Sequence, residues 1–444
     1  MDVPLNSMEA KSYSIPNGSP FCMAHDVNRR TVLAGTAAGI GLATIGTASA
    51  ETETDEELVR YIVTGGNPNQ LERQGFTVEH QITGTNVYLV MGPEDSDPAS
   101  VNGVNAAFED FTYELDVPEE PTEVETEDAL DDDQWDKHLI NAFDAHDHAT
   151  GEGTRIGIID TGVYHDHPDL GNVEEGDSRS FIDWQEGDHT GDVHWHGTHV
   201  AGIAAATGAE GVTGVAPDAE IISLRVFPSE PPLLARVGDT FLALDYAAEE
   251  GLDVANMSLG SPPQTSRENQ EGYRIARQQV VRSVTQRGTS VVVSAGNDSA
   301  NLQHGNECWS PEDEEEETCA NWISLWGSLP NASSISATTA DDELADFSNY
   351  GANEISVGAP GAEVPSTVDP DNPAFPGAKY ASASGTSMSA PQVAGLTALV
   401  RELDPDANPN QTENVIERGA EGDGRGDPKT GAGRINALDT VELL

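Results

Sequence analysis

The sequence predicts an α/β domain built on a parallel sheet with helices on both faces, preceded by a small α+β domain. Two observations carry this prediction. Beyond residue 150, short runs rich in Val and Ile alternate with helix-length segments, and such unbroken apolar runs are what strands buried on both faces look like. Repeated strand-then-helix implies a parallel sheet, whose sites gather at the carboxyl ends of its strands. Before residue 118, shorter strand-like runs are separated by turn signals, and an acidic, Pro-containing stretch joins the two regions.

The elements follow in chain order. Arg29-Arg30-Thr31-Val32-Leu33 opens an uncharged stretch rich in Ala, Gly and Thr that ends at Ala48-Ser49-Ala50, after which the chain turns acidic at Glu51. Twin arginines, a mild apolar region and an A-x-A site describe a twin-arginine export signal over 1–50, with Met23 as an alternative start. A transmembrane helix fits less well, because the run is short and rich in Gly and Thr. Val59–Val63, Phe76–His80 and Asn86–Val90 read as strands, with helices near 67–74 and 98–107, so 51–117 forms the small domain. The acidic segment 118–133 reads as an exposed, cleavable linker. Within 134–444, strands are expected at Arg155–Ile159, Glu220–Val226, Asp253–Ser258 and Ser290–Ser294. Helices are expected at His196–Ala206, Gly238–Glu250, Gln270–Arg287 and Met388–Leu403.

Charge restricts the partners. The chain has 77 Asp+Glu against 21 Lys+Arg, a formal charge of −56 over 444 residues, which argues against nucleic acid phosphates and anionic lipid as main partners. Lys occurs only at 11, 137, 379 and 429. This reads as adaptation to high salt, where a Debye length of about 3 Å at about 1 M screens carboxylate repulsion. Cys308 and Cys319 flank the Glu-rich stretch Pro311–Glu317, and an extracellular compartment permits a disulfide between them. No CxxC or nearby His pair supports zinc there.

Three segments carry chemistry. Ile158-Ile159-Asp160-Thr161-Gly162 ends an apolar strand in an acid followed by a turn glycine, which suits a carboxylate that orients an imidazole. His196-Gly197-Thr198-His199-Val200-Ala201-Gly202 opens a helix whose small residues allow close packing. In Gly385-Thr386-Ser387-Met388-Ser389-Ala390-Pro391, Ser387 sits where a loop enters an apolar helix, and the helix amino terminus favours nearby negative charge. Ser294-Ala295-Gly296-Asn297 ends a strand and offers Asn297 as a side-chain donor. Other readings stand beside these. Asp-Thr-Gly also serves aspartic proteases, but those need two such loops and this chain has one. His194, His196 and His199 are candidate metal ligands, although only 196 and 199 share a helical face. Ser389 competes with Ser387 as nucleophile, and His199 reads as a packed structural residue.

At these residues the sequence resembles the subtilases, the subtilisin-like serine proteases, and more loosely their haloarchaeal halolysin branch. The order Asp, His, Ser is the subtilisin order. The resemblance covers roughly 135–444 and implies a subtilisin-like peptidase domain with Asp160, His196 and Ser387 as the triad. It implies Asn297 as the oxyanion-hole residue and Ser258-Leu259-Gly260 as the strand that pairs with substrate. It makes 51–117 an inhibitory propeptide and Asp169 a calcium ligand, although the partner loop Thr207–Val212 reads one residue short and lacks an Asn. The carboxyl-terminal extension of halolysins is not seen after Gly431-Ala432-Gly433-Arg434-Ile435-Asn436. The expected protein is a secreted, monomeric, salt-requiring endopeptidase made as a zymogen, acting on proteins or peptides, with its own propeptide as inhibitor and no membrane partner after export. A catalytically silent subtilase-like binding protein is the rival reading.

Overall fold

The computed structural model describes residues 58–115, 117, 121–124, 134–189, 191–260, 263–265, 272–303, 307–309, 318–422 and 424–444. The segment expected to direct export, with Arg29 and Arg30, most of the expected linker 118–133 and the acidic stretch Pro311–Glu317 lie outside the described residues.

The first unit is a four-stranded antiparallel sheet. It comprises β1 (Leu58–Gly65), β2 (Thr77–Gln81), β3 (Val87–Pro93) and β4 (Val104–Glu109), in the order β2-β3-β1-β4. Helix α1 (Pro68–Arg73) starts where the Asn67 side chain accepts from the Asn69 amide and Pro68 occupies the first turn. The helix expected over 98–107 is not formed. One 3₁₀ turn, Pro98–Ser100, is followed by Gly103 at a φ of 91°, and the chain then enters β4, where Phe108 pairs opposite Ile62 of β1. Pairing with a sheet edge outweighed helical propensity here.

The main sheet has eight strands. In chain order the labelled elements are β5 (Arg155–Asp160), β6 (Arg179–Ile182), β7 (Gln185–Asp188), α2 (Trp195–Ala205), β8 (Glu220–Arg225), α3 (Val237–Glu249), β9 (Val254–Met257), α4 (Tyr273–Gln286), β10 (Ser290–Ser294), β11 (Ser333–Thr338), β12 (Val357–Pro360) and α5 (Thr386–Leu403). The strand order is β12-β11-β10-β9-β5-β8-β6-β7, parallel throughout except for the β6-β7 hairpin. Alternation along β5 explains the helices on both faces. Ile156 and Ile158 pack with Val200, Leu396 and Leu399 of α2 and α5, whereas Ile159 packs with Phe241, Leu244 and Val280 of α3 and α4. Each such buried aliphatic side chain contributes roughly 1.5–3 kcal/mol. Since β5 lies inside the sheet, its final residue, Asp160, emerges between neighbouring strand ends.

The first unit docks on α3 and α4. Period-two alternation sends Tyr61, Val63, Tyr88 and Val90 toward Leu71 of α1, while Ile62, Val87 and Leu89 join the cluster containing Phe241, Val280 and Val284. Asp110 accepts from the Gly238 amide in the first turn of α3 at 3.0 Å and from Trp184 Nε1 at 2.8 Å, so it caps that helix. The amide and hydroxyl of Thr83 each reach Asp245 Oδ2 at 3.0 Å. The segment leaving the unit, Thr112–Glu114, pairs antiparallel with Leu234–Arg236. Of the linker, Glu123 and Thr122 pair with Ala381 and Ser382.

Helices α2 and α5 pack tightly where Gly395 faces Ala204. A Cβ at 395 would lie 2.7 Å from the Ala204 carbonyl oxygen and 2.6 Å from Val215 Cβ, so only glycine fits without displacing backbone. Gly395→Ala is expected to cost about 1–3 kcal/mol by overpacking. A urea unfolding series at fixed salt checks this, and an unchanged midpoint would contradict the close contact.

Candidate active site

Asp160 is fully buried at the end of β5, and its Oδ1 accepts from the Thr161 amide at 2.7 Å and stands 2.8 Å from Nδ1 of His196. A carboxylate can only accept, so the imidazole proton sits on Nδ1 and Nε2 of the neutral ring carries a lone pair. Nε2 is buried and has no hydrogen-bond partner among the described residues. That is the state required of a general base.

His196 stands in the first turn of α2, and His194 caps that helix with its Nδ1 accepting from the His196 amide at 3.4 Å. Burial, and then the neighbouring His196, push His194 down to about 4, so it stays neutral. His199 is fully buried one turn later, held by its Nε2 to the Ala381 carbonyl at 3.0 Å, and burial takes it down to about 3. It is a packed residue tying α2 to the strand before Ser387. The grouping of His194, His196 and His199 as metal ligands is not formed, for among the described residues no set of three or more His, Cys, Asp or Glu is placed to hold a metal ion.

Ser387 lies in the first turn of α5, in the middle of the same region. Pro391, four residues on, has no amide proton to give the Ser387 carbonyl. Ser258 supplies the missing donor: its Oγ donates to Ser387 O at 2.8 Å while accepting from Asn256 Nδ2 at 3.0 Å. In return the Ser387 hydroxyl donates to Ser258 O at 3.2 Å. The nucleophile candidate is therefore turned toward β9's continuation, and the hydrogen bond from Ser387 to His196 is not made in this conformation. Ser389, the competing hydroxyl, is fully buried and donates to Ala359 O at 2.9 Å. Asn297 accepts with its carboxamide oxygen from the Thr386 amide at 2.8 Å and hydroxyl at 2.9 Å. An amide N–H can only donate, which fixes the flip of the carboxamide and sends Nδ2 to the opposite side. Leu259 is buried beside Ser258, in the apolar cluster that also contains Tyr113.

Sequence reasoning missed Asp192. Its carboxylate accepts from the Thr161 hydroxyl at 3.0 Å, the His194 amide at 2.9 Å and the Thr198 hydroxyl, joining the turn after Asp160 to helix α2. Burial raises it well above the usual carboxylate range, with Asp160 adding to the rise. The only signal available in the sequence was an acid four residues before His196. Two further histidines, His167 and His189, are withdrawn from solvent. His167 is buried, with Nδ1 accepting from the Asp169 amide at 3.1 Å and Nε2 at 3.0 Å from Lys379 O. Both ring nitrogens of His189 are buried, and desolvation moves it down to about 4.

Cys308 and Cys319 are joined by a disulfide, directly opposite each other on paired strands Glu307–Trp309 and Thr318–Ala320.

Asp169 does not have the surroundings of a calcium ligand. Its Oδ1 accepts from the Glu210 amide at 2.6 Å, and its Oδ2 from the amides of Gly211 and Val212, both at 3.1 Å, and from the Tyr380 hydroxyl at 2.7 Å. Gly211 is required, because a Cβ there would lie 2.3 Å from the Tyr380 hydroxyl oxygen. Gln134 clamps the same loop from its other end, donating to Thr213 O at 2.9 Å and accepting from Thr213 N at 2.8 Å. Calcium takes oxygen ligands, and a carboxylate ringed by N–H and O–H donors has no lone pair directed at a cation. The shortened loop thus folds onto Asp169 directly, and the expected calcium site does not fit.

These elements define a parallel-sheet hydrolase architecture with its candidate groups on strand ends and helix starts. A family model described as the subtilase family, peptidase S8, matches residues 151–433, and the chain belongs to the subtilase family of serine endopeptidases. It is 35% identical over 305 residues to M-protease of Shouchella clausii, covering 68% of each chain. Against Subtilisin BL of Lederbergia lenta it is 34% identical over 288 residues, 64% of this chain and 90% of that one. The fold is similar to that of the epidermin leader peptide processing serine protease of Staphylococcus aureus, with a TM-score of 0.70 at 21% identity, over 87% of this chain and 98% of the other.

At constant NaCl, chelation with EDTA is expected to change the wild-type thermal half-life by less than about twofold, whereas Asp169→Asn shortens it roughly tenfold by opposing an amide NH₂ to backbone donors. A chelator effect that Asp169→Asn abolishes would restore calcium to this site.

Proposed function

We propose that the chain is the zymogen of an exported, salt-requiring serine endopeptidase that hydrolyses peptide bonds with Asp160, His196 and Ser387. The observation that carries the reading is the Asp160–His196 hydrogen bond of 2.8 Å, with Nε2 unpartnered and buried at the start of α2, a helix that packs against α5. Rotation about the Ser387 Cα–Cβ bond takes Oγ from the Ser258 carbonyl toward His196 Nε2. His196 then removes the hydroxyl proton as Oγ attacks the substrate carbonyl, and returns it to the leaving amine. Asp160 holds the tautomer and stabilises the imidazolium. The oxyanion is received by Asn297 Nδ2 and the Ser387 amide, and the donors on Asn297's oxygen keep Nδ2 aimed away from Thr386. Ser258-Leu259-Gly260 pairs with an extended peptide by strand addition, which favours broad sequence tolerance.

Residues 51–117, of which 58–115 and 117 are described, act in this reading as the inhibitory propeptide, and 118–133 as the segment cut on maturation. Ile62, Val87 and Leu89 are covered by the helices it docks on, so leaving those helices exposes an apolar face. The Arg29-Arg30 and Ala48-Ser49-Ala50 signals support twin-arginine export, and the 308–319 disulfide suits an oxidising compartment. No helix among the described residues is long and apolar enough to cross a membrane. The acid excess and scarcity of Lys support a halolysin-like, salt-requiring enzyme acting as a monomer on proteins or peptides.

Expressed in a host lacking other proteases, Ser387→Ala is expected to accumulate uncut and to resist labelling by a serine-directed phosphonate. Asn297→Ala is expected to label but to lose about 10²- to 10³-fold in kcat, a magnitude carried over from the oxyanion donor of subtilisin. Normal processing of Ser387→Ala would refute self-cleavage, and an unlabelled, folded wild type would favour a silent binding protein.

Salt gives a separate check. Between about 1 M and about 0.1 M salt the screening length grows from about 3 Å to about 10 Å, so many more carboxylates repel at once. Peptidase activity and the far-UV circular dichroism signal should fall together along a NaCl series. Full activity with an unchanged spectrum in dilute buffer would overturn the salt requirement and leave the protease reading intact.

A further inference from the structure

Arg225 ends β8, and the sheet sets it beside Asp160. In register it lies opposite Asp160 of β5 on one side and Ser180 of β6 on the other, and Ser180 in turn faces Gly187 of β7, two residues before His189. Ile222 and Leu224 join the cluster under α3 and Ile221 the cluster under α2, so alternation puts Arg225 on the α2 face together with Asp160.

The guanidinium is 5% exposed, in a chain with 77 acidic residues, yet among the described residues it forms no ion pair. The equally buried Arg434 pairs with both Asp342 and Glu421. Arg225 Nη1 donates to Phe227 O at 3.4 Å and to Ser229 Oγ at 3.0 Å, while Nε is buried with no hydrogen-bond partner among the described residues. The neighbouring carboxylates are engaged elsewhere. Asp160 is taken up by His196, and Asp192 by Thr161, Thr198 and the His194 amide. A buried charge without a counter-ion is costly, so this one calls for a partner.

His189 supplies further donors. Both its ring nitrogens are buried without partners, its ring meets that of His165 edge-on at 5.9 Å, and Nδ1 of His165 is another buried nitrogen with none. Burial, then His165 and Arg225, keep the His189 ring neutral, and a neutral imidazole always carries one N–H. Positive charge and N–H groups without an oxygen ligand suit an anion. A metal cation would be repelled by the guanidinium, and Asp166 and Glu175, the acids beside His165, are exposed.

We propose that Arg225 and His189, beside His165, hold a small inorganic anion, which is chloride in saline medium. Arg225 Nε–H and the His189 N–H donate to it, and its charge provides the counter-ion that no side chain supplies. Chloride then acts on this protein in two ways: by screening, which any salt provides, and by filling a site next to Asp160, which only a small anion can do.

The test holds sodium constant at molar concentration and replaces chloride stepwise by gluconate, a bulky anion. Urea unfolding of the full-length Ser387→Ala chain gives the folded-to-unfolded ratio. For a Kd of roughly 0.1 M, molar chloride is expected to raise that ratio about tenfold over gluconate, and adding Arg225→Gln should bring the two salts within about twofold. An equal ratio in both salts overturns the inference, as does a chloride effect that survives Arg225→Gln. If Arg225→Gln does not fold, His189→Ala takes its place, and crystals of the Ser387→Ala chain grown in NaBr read the site directly. Anomalous scattering from bromide between Arg225 and His189 is expected, and water alone at that position sinks the proposal. None of these outcomes bears on the roles of Asp160, His196 and Ser387.

Discussion

A reciprocal pair of hydrogen bonds between Ser258 and Ser387 holds the site together. Each hydroxyl donates to the other residue's carbonyl, at 2.8 and 3.2 Å. The cause is Pro391, whose ring withholds the helical donor that the Ser387 carbonyl would otherwise have. A helix buried along nearly its whole length cannot leave such a carbonyl unpaired without cost. The end of β9 is therefore tied to the start of α5, and the strand carrying the substrate-pairing candidates is fixed to the residue proposed as nucleophile. The Gly395 contact with Ala204 adds the second constraint, setting the distance between α5 and the helix that carries His196.

Buried carboxylates in this acid-rich chain are satisfied mainly by amides and hydroxyls. Asp110 takes a helix amide and an indole N–H, Asp169 three amides and a phenol, Asp192 two hydroxyls and an amide, and Asp239 the amides of Asp183 and Trp184. Burial pushes Asp110 up to about 6 and Asp239 up to about 7, while Arg236 and Arg60 moderate Asp110 only as weaker, more distant contributors. With Lys at only four positions, backbone donors are the abundant partner, and they are insensitive to the salt that would screen an ion pair. The loop at Thr207–Val212 follows the same logic when it closes on Asp169 by hydrogen bonds in place of a metal.

The seam between the small unit and the main domain combines these themes. One face of the four-stranded sheet is completed by α1 and the other only by α3 and α4, so the unit is stable as a guest of the domain it covers. Asp110 caps α3 at Gly238, and two residues beyond Gly238 the same helix offers Thr240 to Tyr113. Docking, helix capping and the Tyr113–Thr240 hydrogen bond thus converge on a single helical turn.

The parallel sheet, its flanking helices and the placement of Asp160, His196, Ser387 and Asn297 on strand ends and helix starts were legible in the sequence because each depends on local signals: apolar runs that end in a polar residue, small residues that open a helix, and a serine where a loop enters an apolar helix. Three features were not legible. The stretch 98–107 became a turn and a strand because an open sheet edge was available to it, which no local propensity reveals. Asp192 gained its role only when the turn after β5 and the start of α2 were brought within 3 Å of it. Asp169 kept the residue type of a metal ligand, yet its surroundings were decided by how the short loop and Tyr380, 211 residues away, closed on it. Residue identity set which groups were available, and the tertiary structure determined which donors each buried acceptor met, because a desolvated carboxylate must be satisfied by whatever the fold brings within hydrogen-bonding reach.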